Sequence, residues 1–534
     1  MKRTNRTLLI VFISILILMV LADLYLPRRE SFSVLNFNKL DHVVELVKTQ
    51  YVDDVNTDSL QDIAIKSFLE VLDPHSVYMT KEEIAKENEN LQGNFDGIGV
   101  QFRIIEDTIV VIQPIVQGPA FKVGIMAGDR IVEVDGKKVC GNGITNEDVF
   151  KLLKGKRGTK VKLGIKRSNS DKLLHFTVKR DKIPIHSVDY SGMLNSNTGY
   201  IKLSQFSANS HTEVSSALIS LKYSGMTQLI FDLRGNGGGY LDQAINIADE
   251  FLSDGELIVF TKGRAKGRND YFASSKGNFE KGKVIVLIDE ISASASEIVA
   301  GALQDNDRGY IVGRRTFGKG LVQEQKELSD GSVLRLTVSR YYTPSGRCIQ
   351  RPYTMGDNEK YYMDFIERYT DMENDVDTIS HADSLKYKTK KGRIVYGGGG
   401  IEPDKELPYN LYKRSESYTA LIAKGLIYKY CFDYLDKNRE VFKQYANGGD
   451  FLDNFVISQD FYKKMITFAQ SQDVNTNGIT NGEQNEIKLL MKSYLAQNLY
   501  GDEYFYKLYL QIDKDIQKVL NLISKLHEQH YLNP

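Results

Sequence analysis

Cysteine is scarce in this chain of 534 residues, which excludes stabilisation by a cysteine-ligated zinc site or by a disulfide framework. The 3 cysteines, Cys140, Cys348 and Cys431, lie far apart and are odd in number. They have neither the spacing of zinc ligands nor the pattern of a disulfide framework, and none lies in a nucleophile motif. We therefore expect a protein that uses no metal and no disulfide scaffold.

The chain also has few histidines and no net charge. None of the 8 histidines lies between residues 212 and 350, where the candidate chemistry is found, so a Ser-His-Asp triad is excluded. The 69 basic and 69 acidic residues cancel, which gives no indication of nucleic-acid binding. A hydrophobic content of 42% with 26% charged residues is typical of a globular protein, and the length predicts several domains.

The first 30 residues predict a targeting or anchoring segment. Lys2, Arg3 and Arg6 precede the apolar run 8–22. This run is short for a membrane span of about 20 residues, and residues 20–22 also fit a signal-peptidase site. An uncleaved anchor is favoured over a cleaved signal peptide. Both alternatives predict that the rest of the chain lies at the periplasmic face of the inner membrane, in the periplasm or outside the cell.

Residues 284–303 predict a strand followed by a helix, with serines at the turn. Residues 284–288 are a continuous apolar run rich in β-branched side chains, which predicts a strand buried on both faces. Ser292, Ser294 and Ser296 follow among small residues. The first turn of a helix leaves backbone N–H groups unpaired, so an oxyanion could be held there.

A lysine between two glycines follows this turn. Gly318 and Gly320 allow the backbone at Lys319 to come close to another segment, and Gln323 lies four residues further on. Burial lowers a lysine pKa by roughly 3–5 units, which would leave a neutral amine. The pattern indicates a hydroxyl nucleophile, a lysine general base and a glutamine amide that holds the amine. A tightly packed helix start and an ordinary glycine turn are the alternatives.

This stretch resembles the core of the carboxyl-terminal processing, or tail-specific, serine proteases. The shared pattern is a strand, S-A-S-A-S-E, a spacer and F-G-K-G-x-x-Q, and Ser294 and Lys319 stand 25 positions apart, as in that family. The resemblance implies Ser294 as the nucleophile in preference to Ser292 or Ser296. It also implies Lys319 as the base and Gln323 as the residue that orients the lysine.

The glycine run in residues 229–239 predicts an anion-holding loop. The sixth position of a dinucleotide-binding pattern is a tyrosine here and there is no Walker lysine, so a phosphate cradle is not favoured. The processing proteases resemble this chain here as well, with D-L-R-x-N-x-G-G. That resemblance implies an oxyanion hole with one N–H from Gly237 or Gly238 and the other from Ala295.

Residues 91–182 predict a peptide-binding domain. A loop with two glycines precedes a strand, where free N–H groups can receive a peptide carboxylate. The residues of this loop are Gly97, Ile98, Gly99 and Val100. Residues 119–136 resemble the long pattern of PDZ domains, with Val123 in place of the usual alanine. A PDZ domain implies capture of a chain end by β-augmentation, and the alternative is a generic small β domain.

The predicted fold class is α+β multidomain. A PDZ domain is inserted into a mixed α/β serine protease core of the ββα-spiral, crotonase-like kind, with helical segments at both ends. The predicted parts are a signal anchor or signal peptide (1–30), an N-terminal helical segment (31–90), the PDZ domain (91–182), the Ser-Lys protease core (183–405) and a C-terminal helical domain (406–534).

The predicted function is a serine endopeptidase that recognises and cleaves near the C-terminal tails of exported or misfolded proteins. The PDZ domain would bind or gate the tail, and no cofactor is expected. The alternative, a non-catalytic PDZ scaffold with an inactive protease core, conflicts with the intact Ser294, Lys319 and Gln323. Residues 406–534 would cover the active site, form homo-oligomers or bind an adaptor protein. Their EF-hand-like run has Gln484 at the position of the bidentate glutamate, so calcium is not expected.

Overall fold

The computed structural model describes residues 38–167, 170, 172–371, 383–408 and 414–528. The predicted anchor or signal, residues 1–30, lies outside the described residues. Within these ranges, every helix is too short or too polar to serve as a membrane span. The chain divides into two compact units, residues 1–69 and residues 70–534.

Helices occur in the N-terminal segment, the PDZ domain, the protease core and the C-terminal region. In chain order they are α1 (Asn38–Gln50), α2 (Thr57–Glu70), α3 (Lys81–Leu91), α4 (Pro119–Lys122), α5 (Asn146–Leu153), α6 (Ser210–Tyr223), α7 (Leu241–Asp249), α8 (Ala295–Asp305), α9 (Asn358–Asp371), α10 (Glu416–Ala423), α11 (Leu426–Lys437), α12 (Arg439–Phe442), α13 (Gly448–Asn454), α14 (Gln459–Gln470), α15 (Asn481–Tyr500), α16 (Asp502–Tyr509) and α17 (Lys514–Glu528), with a 3-10 turn at Asp383–Leu385.

The strands belong to the PDZ domain and to the protease core. In chain order they are β1 (Val77–Met79), β2 (Asn94–Gly97), β3 (Val100–Ile105), β4 (Thr108–Pro114), β5 (Arg130–Val134), β6 (Lys137–Lys138), β7 (Lys160–Lys166), β8 (Leu174–Lys179), β9 (Asp181–Pro184), β10 (Val188–Met193), β11 (Thr198–Leu203), β12 (Gln228–Asp232), β13 (Leu257–Gly263), β14 (Gly267–Phe272), β15 (Lys283–Ile288), β16 (Tyr310–Gly313), β17 (Leu321–Glu327), β18 (Val333–Tyr342), β19 (Lys386–Lys388), β20 (Ile394–Tyr396) and β21 (Lys405–Glu406).

The main sheet of the protease core has the strand order β10-β11-β12-β15-β16-β21. Its strands run parallel except for β10, which is antiparallel to β11. Successive residues of a strand point to opposite faces. Val286 packs in the cluster that includes α6, α7 and α8, whereas Leu287 packs in the cluster that includes Val519 of α17. Residues 284–288 are therefore buried on both faces, as predicted.

The last helix completes this core. The sequence predicts that α17 belongs to a C-terminal region outside the protease pattern, but the helix covers one face of the main sheet. Ile516, Val519 and Ile523 are buried against Ile230 and Leu287. The preceding helices, α10 to α16, enclose an apolar cluster of their own. The C-terminal region is helical as predicted, and its end belongs to the packing of the protease core.

A second sheet lies beside the active site. It is antiparallel, with the order β1-β18-β13-β14 and with β17 paired to β18. The pairing of β17 with β18 shifts register between Val322 and Gln323. Such a bulge re-aims the side chains next to it, which bears on the position of Gln323.

The PDZ domain is an insertion in the chain. The entering strand β2 and the leaving strand β9 pair antiparallel, so the chain enters and leaves at one place. Between them, β3, β4, β5, β7 and β8 form a sheet, with β6 paired to β5. Apolar residues of this sheet and of α5 form a separate core. A small self-contained domain thus interrupts the protease core, as predicted.

The N-terminal unit contains α1 and, up to residue 69, α2. Both helices were predicted from their apolar periodicity. Several of their apolar side chains are exposed, including those of Val43 and Phe68.

Candidate active site

Three serines lie at the turn between β15 and α8, and their hydrogen bonds distinguish them. The Ser292 hydroxyl donates to the carbonyl oxygen of Leu233 at 2.9 Å. The Ser296 hydroxyl donates to the carbonyl oxygen of Asn236 at 2.8 Å, and both serines are fully buried. Ser294 instead lines a cavity of about 700 Å³. The first two hydroxyls hold the turn together, and Ser294 is the serine that a substrate can reach.

The backbone of Ser294 is strained. Its φ of 55° and ψ of −110° lie where residues other than glycine are rarely found, and such a conformation costs of order 1–3 kcal/mol. Ser294 directly precedes α8, in whose first turn the N–H groups of Ser296 and Glu297 donate to the carbonyl oxygens of Ala293 and Ser294. This turn presents the Ser294 hydroxyl next to the N–H group of Ala295.

A buried carboxylate, Glu297, joins the serine turn to the lysine loop. Its oxygens accept hydrogen bonds from the N–H groups of Ser294 at 2.8 Å, Gly318 at 2.7 Å and Lys319 at 2.9 Å, and from the Thr316 hydroxyl at 2.5 Å. Burial raises the pKa of Glu297 to about 7, and these hydrogen bonds act in the opposite direction. One side chain therefore fixes the backbone at both predicted catalytic residues.

The loop that carries Lys319 is closely packed. Gly318 has a φ of 90°, and a Cβ at this position would lie 3.1 Å from the nitrogen of Gly400. A Cβ at Gly320 would lie 2.7 Å from the nitrogen of Gln350. Both neighbours of the lysine are thus glycines because another backbone segment approaches them, as the sequence predicted.

The amine of Lys319 lies where its positive charge is disfavoured. Burial lowers the pKa of Lys319, Arg335 lowers it further, and the carboxylates of Glu297, Glu87 and Asp73 act in the opposite direction. The net shift is downward. A lysine can act as a general base only when its amine is neutral, and this environment shifts the amine toward the neutral form.

Gly238 lies against Ser294, the predicted nucleophile. A Cβ at this position would lie 2.9 Å from the Cβ of Ser294 and 2.8 Å from the carbonyl oxygen of Ala293. The N–H of Gly238 donates to Oδ1 of Asn236 at 2.9 Å. This donor is therefore already engaged, and the contribution of Gly238 in this structure is the space that it leaves beside Ser294.

Gly237 and Ala295 are the other two predicted oxyanion donors, and both line the cavity. In the described part of the chain, neither N–H group donates a hydrogen bond. Of the two glycines left open by the sequence, the structure favours Gly237.

The cavity brings together the predicted catalytic residues. Those in its wall are Ser294, Ala295, Lys319, Gln323, Gly237 and Gly238. Part of the remaining wall is apolar, including Leu241 and Ile298. Over the described ranges, no hydrogen bond joins the Ser294 hydroxyl to the Lys319 amine. The amine and the hydroxyl would have to come within hydrogen-bond distance before proton transfer.

Gln323 lies at the bulge of β17 and faces the same cavity. Its Nε2 donates to the Thr337 hydroxyl at a long 3.4 Å. A hydrogen bond between its amide and the Lys319 amine is not formed among the residues described. The lysine-orienting role of Gln323 stays a prediction.

His75 lies near enough to Lys319 for the lysine charge to affect its pKa. Burial, followed by the charge of Lys319, lowers the pKa of His75 to about 4. Nε2 of His75 lies 3.2 Å from the Tyr361 hydroxyl. His75 is thus neutral at physiological pH, and it packs in the turn where the sequence predicted a structural role.

The predicted peptide-binding loop joins β2 to β3 in the PDZ domain. Gly97 ends β2 and Val100 begins β3. The carbonyl oxygens of Ile98 and Gly99 accept from Ala120 and Ile115, both at 2.9 Å. A Cβ at Gly99, where φ is 74°, would lie 2.9 Å from a methyl group of Ile183. The loop is therefore held in a tight turn.

Several parts of the chain match known families. Residues 197–359 match peptidase family S41, residues 97–179 match a PDZ domain, and residues 27–83 match the N-terminal domain of the activating protease CtpB. Residues 417–501 match a family of unknown function, DUF8443.

Two curated relatives each match more than half of this chain. The carboxy-terminal-processing protease of Bartonella bacilliformis is 39% identical over 338 residues, 62% of this chain and 77% of that protein. This chain belongs to the carboxy-terminal processing proteases. The processing protease CtpA of Bacillus subtilis is 37% identical over 316 residues, 59% of this chain and 67% of that protein. A solved processing protease, that of the photosystem II D1 protein, is 26% identical with a TM-score of 0.37 and covers 70% of this chain and 87% of its own.

Membership of the processing proteases makes this protein a serine peptidase with a PDZ domain. The family and the fold class predicted from the sequence are confirmed. The matches leave the C-terminal helices without an assigned role.

Two buried residues of this processing protease were missed by the sequence analysis. Glu297 had a local signal, since a serine followed three residues later by glutamate is a capping-box pattern. Tyr341 had none. Its hydroxyl lies 3.2 Å from the carbonyl oxygen of Ser294 and hydrogen-bonds the carbonyl oxygen of Lys319. That contact depends on β18 meeting the serine turn, which only the fold specifies.

Proposed function

We propose that this serine peptidase cuts near the C-terminal tails of exported or misfolded proteins with a Ser294–Lys319 pair. The observation that carries the proposal is the convergence of the predicted residues on one cavity. Within it, Ser294 occupies a strained turn and the surroundings of Lys319 lower the pKa of its amine. The names of the two relatives refer to carboxy-terminal processing and support the substrate class.

In the proposed reaction, the neutral Lys319 amine takes the proton of the Ser294 hydroxyl as Oγ attacks the scissile carbonyl carbon. The N–H groups of Gly237 and Ala295 stabilise the oxyanion that forms. The lysine then gives the proton to the leaving amine, which leaves an ester at Ser294. Water, deprotonated by the same amine, hydrolyses the ester and restores the serine.

The PDZ domain is proposed to hold the substrate by its end. A PDZ groove adds a peptide strand beside β3 and receives the terminal carboxylate at the loop before it. Ile98 is buried at the start of this groove, and the rings of Phe102 and Phe150 meet edge to face at 5.6 Å along it. An apolar tail residue suits these surfaces. Tail binding is further proposed to gate access to the cavity.

Export and membrane attachment also belong to the proposal. They are supported by the basic residues and the apolar run 8–22 at the start of the chain. Mass analysis of the mature N-terminus tests this point, because an intact first residue supports an anchor and a start near residue 23 supports signal cleavage. A homo-oligomer, or an adaptor protein bound by residues 406–534, stays a prediction.

Digestion of an unfolded reporter with an apolar C-terminal tail tests the chemistry. Ser294→Ala and Lys319→Ala should each lower the cleavage rate by about 10³-fold or more, because the two groups act as a unit. Tail binding should persist in both variants, since the PDZ domain is untouched.

Matched controls are available on exposed surfaces. Ser216→Ala on α6 and Lys326→Ala on β17 remove the same groups at exposed positions outside the cavity wall, and both should cleave like the wild type. Tail binding without cleavage in the wild type as well would instead support a scaffold with an inactive core.

A further inference from the structure

A buried aspartate outside the cavity wall is connected to the active site. Asp73 follows α2 in a turn to which the sequence assigned no chemistry, and it is buried. Its carboxylate accepts from the N–H groups of His75 at 3.0 Å and Ser76 at 3.2 Å. It also accepts from the Ser76 hydroxyl at 2.5 Å and from the Thr337 hydroxyl at 2.9 Å. Four donors thus converge on one carboxylate, more than a surface turn requires.

Thr337 connects this carboxylate to Gln323. It lies on β18 directly opposite Gln323 in the strand register. Its hydroxyl, which donates to Asp73, also receives the Gln323 amide nitrogen at 3.4 Å. Its backbone N–H donates to the Ser76 hydroxyl at 3.1 Å, which holds the strand at this point against the turn.

The direction of the hydrogen bonds determines which way the amide faces. A carboxylate can only accept, so the hydrogen of the Thr337 hydroxyl is committed to Asp73. The hydroxyl oxygen then offers only lone pairs to Gln323, and the amide must present its NH₂ group to Thr337. The amide oxygen consequently lies on the opposite side of the group. Gln323 shares the cavity wall with Lys319, so this oxygen is available to the lysine amine.

We propose that Asp73 is a positioning residue of the peptidase, which acts through Thr337 to fix the Gln323 amide with its oxygen available to the Lys319 amine. An amine that donates one N–H to this oxygen has its lone pair directed elsewhere, and the Ser294 hydroxyl lies in the same cavity. The inference rests on the proposed Ser294–Lys319 mechanism. It makes a turn 264 positions before Thr337 in the chain a functional part of the site.

Two substitutions interrupt the connection at different points. Thr337→Val keeps the shape of the side chain and removes the hydroxyl. Asp73→Asn keeps the size of the group but can donate, so the amide orientation is no longer imposed. Each should lower kcat by up to about 100-fold with little change in KM, because a misdirected group costs rate more than binding. Since either break frees the same amide, the double variant should be no slower than the slower single variant.

A pH profile separates positioning from folding. The rise of kcat/KM with pH should move to lower pH in Thr337→Val, because the lysine ammonium loses an oxygen that stabilises it. The charge of Asp73 stays in this variant, so the shift reports the amide and not the carboxylate. Thr337→Ser restores the hydroxyl and should restore both the rate and the profile.

The controls distinguish the possible failures. Asp58→Asn makes the same change at an exposed aspartate in the first turn of α2, so its rate and profile should match the wild type. Wild-type rates and profiles in Asp73→Asn and Thr337→Val, beside an inactive Lys319→Ala, would overturn the positioning role alone. Rate losses that multiply in the double variant, with an unmoved profile, would also overturn it. An active Lys319→Ala would overturn the proposed function itself.

Discussion

Ser294 and Lys319 come from different segments of the chain. Their relative position depends on buried residues that take no part in the proposed reaction. Glu297 binds the backbone N–H of both. Tyr341 reaches the carbonyl oxygens of both. A strained φ at the serine persists only where the surroundings enforce it, and these two buried side chains supply that enforcement. At the scale of the residue, the site is a turn and a loop joined by one carboxylate and one phenol.

The lowered pKa of Lys319 predicts the pH dependence of the enzyme. Only the neutral amine is a base, so kcat/KM should rise with pH through an inflection below the ordinary lysine value of about 10.4. Arg335 contributes to the lowering. In Arg335→Gln the inflection should therefore move to higher pH, and an initial-rate profile across the pH range measures both.

The matched comparison is Glu87→Gln. The Glu87 carboxylate acts to raise the lysine pKa, so its removal should move the inflection to lower pH. An inflection that lies at the ordinary lysine value, or that moves in neither variant, would contradict a buried lysine as the base.

The elements with strong local patterns were predictable from the sequence. The apolar run at 284–288 predicted the buried strand. The two glycines beside Lys319 predicted a close backbone approach, because no other residue allows one. The link from Asp73 to Gln323 was not predictable, because it joins segments far apart in the chain. The role of α17 is the largest omission. Its apolar residues predict a helix, but no local pattern says that they cover the main sheet.

A charge placed on the buried side of α17 tests its role. Val519→Asp should lower the free energy of unfolding by more than about 3 kcal/mol, because an unpaired charge would be buried between α17 and the main sheet. Urea unfolding of the full chain measures it.

Gln517→Glu places the same charge on the exposed side of the helix and should have a much smaller effect. Equal unfolding midpoints for the two variants would mean that α17 is not part of the protease core.

At the scale of the whole molecule, the C-terminal helices contact both the PDZ domain and the protease core. The Arg103 guanidinium lies 3.8 Å from the ring centre of Tyr428, and Val110 is buried with the same ring. Arg130 pairs with the largely buried Asp436 at 2.8 Å. A PDZ domain that moves when it binds a tail has to break these contacts.

Loosening this interface should therefore weaken the proposed gate. Asp436→Ala leaves the guanidinium of Arg130 without this partner, and we expect it to raise the cleavage of a reporter that lacks an apolar tail. Cleavage of a tailed reporter should change less, because the tail already supplies the energy for the movement. The measurement is the ratio of the cleavage rates of the tailed and the tailless reporter, compared between the wild type and the variant. An unchanged ratio would mean that these contacts do not gate the enzyme.

The most direct test of the Ser294–Lys319 pair is to trap the nucleophile. The full-length enzyme is incubated with a serine-reactive peptide fluorophosphonate, and the modified residue is located by peptide mass spectrometry. We predict a single adduct at Ser294 in the wild type, and labelling slowed by orders of magnitude in Lys319→Ala but not in Lys326→Ala. An adduct at Ser292 or Ser296, or equally fast labelling of Ser294 without the Lys319 amine, would contradict the account.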